Sequence, residues 1–364
     1  MQLKDVIQFL EAKAPPSLQE DYDNSGLLTG DPEQPVTGVM VCLDSTEAVI
    51  EEAKAKGCNV VVAHHPIVFS GLRRLTGRNY IERTVIKAIR ENVAIYAIHT
   101  NLDNVRHGVN QRICDQLGLV NTRILSPKSG QLSKLVIYCT RQCAEPVRQA
   151  LFSAGAGTIG EYDECSFNSE GTGTFRPGDA ANPAIGRRGV RESVSEMRVE
   201  VVVPKWRVNA AIAAARAAHD YEEMAYDVIP LSNDLQDTGS GMIGELAEPM
   251  PLTDALNHIK TCMKAPVIRH TAALHKTVQR IAVCGGSGSF LLGDAVRAGA
   301  DVFVTADFKY HQFFDADGRI VIADIGHFES EQYTIDLLYA WLSEKFRTFA
   351  THKTGVVTNP INYL

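Results

Sequence analysis

The sequence predicts an α/β protein in which two outer α/β segments with helix-covered sheets flank an inserted α+β domain of ferredoxin-like pattern. Three observations predict it. Residues 36–100 alternate apolar strands with helices; from Pro127 the order becomes β-α-β-β-β-α-β; and strand, glycine loop and helix return from residue 280. The expected domains are therefore a core of 1–127 plus 233–364 and an insert of 128–232.

VTGVMVCLD (36–44) reads as a buried strand, and STEAVIEEAKAKG (45–57) as a helix with Ser45 as N-cap and Gly57 near its end. CNVVVAHH (58–65) is a second apolar run, TVIKAIRENV (84–93) is helical, and AIYAIHT (94–100) is a further strand. This rhythm argues for a largely parallel sheet covered by helices.

In the insert, KLVIYCT is followed by a helix at 143–154, short strands at EYDECSF and GTGTF, the strand SEMRVEVVVP, a helix at 205–218 and the strand MAYDVIPL. The Gly/Pro-rich GTFRPGDAANPAIGRRG reads as an excursion between two strands, and SNDLQDTGSG (232–241) as a polar linker. Beyond it, RIAVCGGSGS (280–289) is strand then glycine loop, FLLGDAVRAG is helix, and ADVFVTAD (300–307) and RIVIADIGH (319–327) are strands. Both outer segments place His or Asp at the carboxyl end of an apolar strand, where open α/β sheets build their sites.

Composition bounds the function. With 45% hydrophobic and 22% charged residues the chain can fill a sizeable core. The net charge of −7 counts against a dedicated nucleic-acid binder. Local basic patches remain open at Arg73, Arg74, Arg187, Arg188 and Arg191. No apolar run reaches the ~18 residues of a membrane span, so none is expected. The first residues lack the basic region and cleavage site of a signal peptide, so the chain is expected in the cytoplasm. Eight cysteines without a C-x-x-C pair are expected to be reduced and mostly buried.

The chemistry sits at four strand ends. In VVVAHHPIVF (61–70), His64 and His65 follow an apolar strand, and Pro66 stops the ladder. Adjacent side chains on extended chain point apart, so the two imidazoles can face two different ions. In AIHTNLDN, Asp103 is placed to bridge two cations, and His99 lies close by. In IADIGHFESEQ, His327 and Glu331 are spaced i, i+4 and share a face if a helix begins near Gly326. In TADFKYHQ, Asp307 and His311 repeat that spacing and are pocket or supporting candidates, as is Asp324. His99, Asp307 and His311 are the candidates for proton transfer. GGSGS (285–289) lacks the Lys-Ser/Thr of a P-loop, and a tight strand-to-helix turn explains its glycines better than phosphate contact.

Five blocks, DNSGLLTGD (23–31), AHHPIVFSGLRRL (63–75), IHTNLDN (98–104), TADFKYH (305–311) and DIGHFESE (324–331), together resemble the signature blocks of the Nif-three-like dinuclear metal-centre proteins, often labelled GTP cyclohydrolase I type 2 homologues. Tyr22 stands where that family often has Trp. The resemblance implies two similar α/β halves enclosing a cleft, and metal ligands at His64, His65, Asp103, His327 and Glu331. It also implies a toroidal homohexamer, and an insert similar to PII-type and CutA-like trimeric folds that caps the ring opening.

Three imidazoles and two carboxylates, with no thiolate, suit two divalent ions among Zn, Fe, Mn, Co and Ni. The leading expectation is metal-dependent hydrolysis of a small nucleotide-like or phosphorylated substrate. No residue pattern indicates guanine recognition, so the cyclohydrolase label rests on resemblance alone. The alternative is a non-enzymatic metal-binding or regulatory hexamer whose PII-like insert senses a ligand or partner.

Overall fold

The computed structural model describes residues 1–272 and 277–364, which divide into two compact units: residues 1–127 with 237–364, and residues 128–236. The first outer segment runs through α1 (Leu3–Lys13), β1 (Gly26–Thr29), β2 (Gly38–Asp44), α2 (Glu47–Ala55), β3 (Val60–His65) and α3 (Tyr80–Arg90). It continues through β4 (Ala94–Ala97), the single turn α4 (Thr100–Asp103), α5 (Val109–Leu117) and β5 (Val120–Ser129). The second unit holds β6 (Leu132–Thr140), α6 (Ala144–Ser153), β7 (Phe167–Phe175), β8 (Glu192–Pro204), α7 (Val208–Ala218) and β9 (Tyr226–Leu231). The chain returns through β10 (Asp234–Pro251), α8 (Leu252–Cys262), β11 (Arg269–His270), β12 (Thr277–Ser287) and α9 (Leu292–Arg297). Then follow β13 (Val302–Ala306), β14 (Val321–Asp324), α10 (His327–Glu331), α11 (Thr334–Lys345) and β15 (Ala350–Lys353).

The first unit is a mixed α/β structure with two sheets, ordered β1-β4-β3-β2-β15 and β11-β14-β13-β12-β10-β5. Strands β15, β2, β3 and β4 run parallel, as do β12, β13 and β14. Period-2 alternation sorts each strand between two cores. Val39, Val41, Val60 and Val62 share one core with Ile281, Val283, Val302 and Val304 of the other sheet, filled in by Leu10 of α1, Ile113 of α5, Ile259 of α8 and Leu338 of α11. The opposite faces pack outward, Met40 and Val61 against Val49 of α2 and Val85 of α3, and Ala282 and Phe303 against Leu292 and Ala295 of α9. Because both faces are covered, these strands read as unbroken apolar runs. Each such fully buried Val or Ile contributes ~1.5–3 kcal/mol.

In the second unit the sheet order is β7-β8-β6-β9, and every neighbouring pair is antiparallel. Leu135, Ile137, Val199 and Val201 on one face pack against Val147 and Leu151 of α6 and Ala211 and Ala215 of α7. A separate cavity of about 750 Å³ is lined by Tyr138, Arg198, Glu196 and Phe175 together with residues of the 176–185 stretch.

Three local expectations need correction. The N-cap of α2 is Thr46, whose side chain accepts from the Val49 N–H at 3.3 Å, rather than Ser45; both residue types cap, and the chain enters one residue later. The insert carries one strand at 167–175 in place of two short ones. Residues 161–165 fall outside it, because Glu164 takes φ +53 and breaks the extended run. The polar stretch 232–241 is not a linker, since β10 begins at Asp234. Its glycine is structural: a Cβ on Gly239 would lie 2.2 Å from the Ser126 carbonyl oxygen, so only glycine lets the strands approach. All eight cysteines are free. No helix among the described residues is long and apolar enough to cross a membrane.

Candidate metal centre

The strand ends of the two sheets bring distant histidines and carboxylates to one place. Parallel pairing of β2 with β3 sets Asp44 opposite His65. The His65 Nδ1–H donates to Asp44 Oδ1 at 2.8 Å, which leaves Nε2 facing Glu331 Oε2 at 2.9 Å. His64 is fully buried, and its Nδ1–H donates to the Ile98 carbonyl at 2.8 Å. A carbonyl only accepts, so the tautomer is set and Nε2 offers its lone pair.

Helix α10 starts after Gly326 and puts His327 and Glu331 on one face, with Nε2 3.1 Å from Oε2. His327 Nε2 lies 3.3 Å from His65 Nε2. The His327 Nδ1–H donates to Asp307 at 2.6 Å, and Asp307 sits in the left-handed region with φ +59. Asp tolerates that conformation better than most residues. Gly286 belongs to the same construction. A Cβ there would sit 2.4 Å from Glu331 Oε1, so the glycines near the end of β12 make room for this carboxylate. Ser330 Oγ accepts from the Gly286 N–H at 2.9 Å, and Asn110 Oδ1 from the Gly285 N–H at 3.0 Å.

All five expected ligand residues stand together. His64 Nε2 is 3.7 Å from Asp103 Oδ1 and 3.9 Å from Glu331 Oε1. Among the described residues, two groups of donors have atoms within 4.8 Å of one another and could hold a metal ion: His64, His65 and His99, and His65, His327 and Glu331. His65 belongs to both. Of the proton-transfer candidates, His99 is thus inside the cluster and Asp307 supports it through His327. His311 is exposed on the turn after β13, stacked on Phe314 with ring centroids 6.4 Å apart. Asp324 is buried elsewhere, accepting from the Phe308 N–H at 2.9 Å and paired with Arg269.

Two supporting carboxylates escaped the residue-by-residue reading. Asp23 accepts from His99 Nδ1–H at 2.7 Å and from the Thr100 N–H at 3.0 Å. Asp44 ends an apolar strand, the same signal that marked the histidines.

The charges are mutually dependent. Burial works against charge on His65, but Glu331 and Asp44 outweigh it and lift the imidazole to about 10. Burial likewise opposes charge on His327, and Glu331 and Asp307 raise it to about 11. Glu331, despite burial, is held well below the usual carboxylate range by His327 and His65. Burial and then the Glu331 carboxylate push Asp103 up to about 7. His64 Nε2 and Asp103 Oδ1 are buried without a hydrogen-bond partner among the described residues. Such atoms are costly unless satisfied. Two lone-pair donors facing one another across 3.7 Å fit a cation between or beside them.

The cluster floors a pocket of about 850 Å³, with Tyr22, Phe69, Tyr80 and Phe290 on its walls.

The Duf34/NIF3 (NGG1p interacting factor 3) family model matches residues 1–360. A protein of Halalkalibacterium halodurans named GTP cyclohydrolase 1 type 2 homolog is 41% identical over 325 residues, covering 88% of this chain and 87% of its own. One of the same name from Bacillus subtilis is 38% identical over 325 residues, covering 89% and 87%. A crystal structure of a Bacillus cereus protein related to NIF3 superposes with TM-score 0.88 at 36% identity, covering 100% of this chain and 99% of that one.

Proposed function

Since the chain belongs to the Duf34/NIF3 family, we propose that His64, His65, Asp103, His327 and Glu331 hold two divalent cations, and that the pocket above them hydrolyses a small substrate. The observation that carries this is the unpartnered, buried pair of His64 Nε2 and Asp103 Oδ1, next to Glu331. A pair of divalent ions, when bound, polarises a substrate oxygen and acidifies a water. Glu331 neutralises both rims of the site, facing His65 on one oxygen and His64 on the other. Asp44 and Asp307 hold the ring planes of His65 and His327, so Nε2 of each is presented inward. Asp103, central and partly exposed, would supply the second carboxylate of the ligand set. His99, whose ring Asp23 holds through Nδ1, is placed to take and return a proton at Nε2. The test is metal analysis with a hydrolysis screen: two ions per chain and turnover of some metabolite, both lost in His64→Ala with the fold retained.

The order β7-β8-β6-β9 and its antiparallel pairing support a ferredoxin-like reading of residues 128–236. The cavity in that unit favours a second reading, a metal-dependent regulatory protein whose insert senses a ligand. Binding of a metabolite to the second unit, with no turnover by the metal-loaded chain, would select it. The toroidal homohexamer and the cytoplasmic setting remain part of the proposal, and light scattering tests the first.

A further inference from the structure

The rings above the cluster form a continuous run. Tyr22 and Phe69 lie with centroids 6.2 Å apart at an interplanar angle of 36°. Phe69 meets His99 edge-on at 6.3 Å, and His99 stands 5.3 Å from both His64 and His65. Yet the outer rings are uncovered: Tyr22 is 64% exposed, Phe69 49% and Phe290, also lining the pocket, 65%. Large aromatic surface left open around a pocket, a few ångströms from polar donors, is the usual make-up of a site for a planar ligand.

The charge of the lining narrows the ligand. Among the described residues that line the pocket there is no Lys or Arg. Four carboxylates line it, Glu20, Asp44, Asp103 and Glu331, and they offset two divalent cations. No positive excess is left to draw a polyphosphate, for which Arg or Lys clamps are the common solution. The volume of about 850 Å³ holds a nucleoside-sized molecule with room for water.

We propose that Phe69 and Tyr22 stack a planar heteroaromatic ring of nucleobase type, on a ligand carrying at most one negative charge, and direct its polar substituent past His99 to the cluster. This rests on the proposed metal centre for its chemistry, but the stacking surface belongs to the chain itself. The aromatic residues set which ligand enters, and a nucleoside triphosphate is disfavoured against the nucleoside.

The test is calorimetric titration of the full chain, metal-stripped and zinc-loaded, with guanosine, adenosine, nicotinamide, the two nucleoside triphosphates and ribose 5-phosphate. At least one ring-bearing neutral probe is expected to bind. Phe69→Ala and Tyr22→Ala should each weaken it by about 5- to 150-fold, the range for loss of one stacked base. Phe69→Tyr should restore most of the affinity, which a merely structural role of Phe69 would not require. Failure of all three neutral probes overturns the proposal. So does binding indifferent to both alanine variants, ribose 5-phosphate binding as well as a nucleoside, or a triphosphate binding at least tenfold tighter than its nucleoside at low salt. A chain that stacks the ring through Phe69 but takes up no zinc would sink the metal reading alone.

Discussion

Thr358 donates to Asp44 Oδ2 at 2.6 Å while Asp44 Oδ1 accepts from His65 at 2.8 Å, so a residue beyond β15 holds the carboxylate that orients a site histidine. Removing that hydroxyl leaves Asp44 free to turn. Groups that orient a metal-ligating histidine typically matter about 10- to 100-fold in affinity. Thr358→Val is expected to weaken zinc binding by about tenfold, read in competition with a chromophoric chelator, with the melting temperature nearly unchanged.

Metal uptake should release protons. His65 and His327 titrate near 10 and 11 in the metal-free chain, so both carry a proton at pH 8 on the side facing Glu331. A cation takes the place of those protons. Titration calorimetry in buffers of different ionisation enthalpy should show about two protons released per chain at pH 8, and affinity should rise with pH. The linked stability has the opposite sense. Raised imidazoles stabilise the metal-free fold fully below 6.5, and this is lost as pH climbs through about 10 and 11.

Asp103 opposes the metal-free fold. Its folded value of about 7 lies above the ordinary 3.8, so the ionised carboxylate costs stability increasingly as pH rises through that interval. Asp103→Asn should therefore raise the melting temperature of the metal-free chain at pH 8 by roughly 2–4 °C, while abolishing uptake of at least one ion. A lower melting temperature would contradict the picture of an uncompensated carboxylate.

Asp23 behaves in the reverse direction. Despite burial, His99 and Thr100 hold it below the ordinary 3.8. Its contribution is present above 3.8 and disappears as pH falls below it. Asp23→Asn should cost about 1–3 kcal/mol in urea unfolding at pH 7, and the difference should shrink as the pH is lowered toward 2.

Much of this site could be read from the chain because apolar strands ending in His or Asp announce themselves locally. His64, His65, Asp103, His327 and Glu331 each follow such a run, and the structure gathers them. Asp23 follows no such run, and Asp44, which ends one, had no partner nearby in the chain. Their partners, His99 and His65, lie 76 and 21 residues away; the register of β2 on β3 makes the Asp44 pair, while Asp23 reaches His99 from the loop before β1. Strand β10 was hidden by its own composition. Gly239 and its polar neighbours look like a linker until the close approach to Ser126 supplies a reason for glycine. The His311 spacing from Asp307 matched that of Glu331 from His327, but the chain turns after Phe308 and leaves His311 exposed.

The central claim is that these five side chains bind metal, and metal analysis of the purified full-length chain with anomalous diffraction at the absorption edge tests it most directly. Two peaks are expected, sharing a carboxylate and flanked by His64 and His327, and both should weaken in His64→Ala. A folded chain that takes up no ion at saturating zinc, cobalt, manganese, nickel or ferrous iron would contradict it.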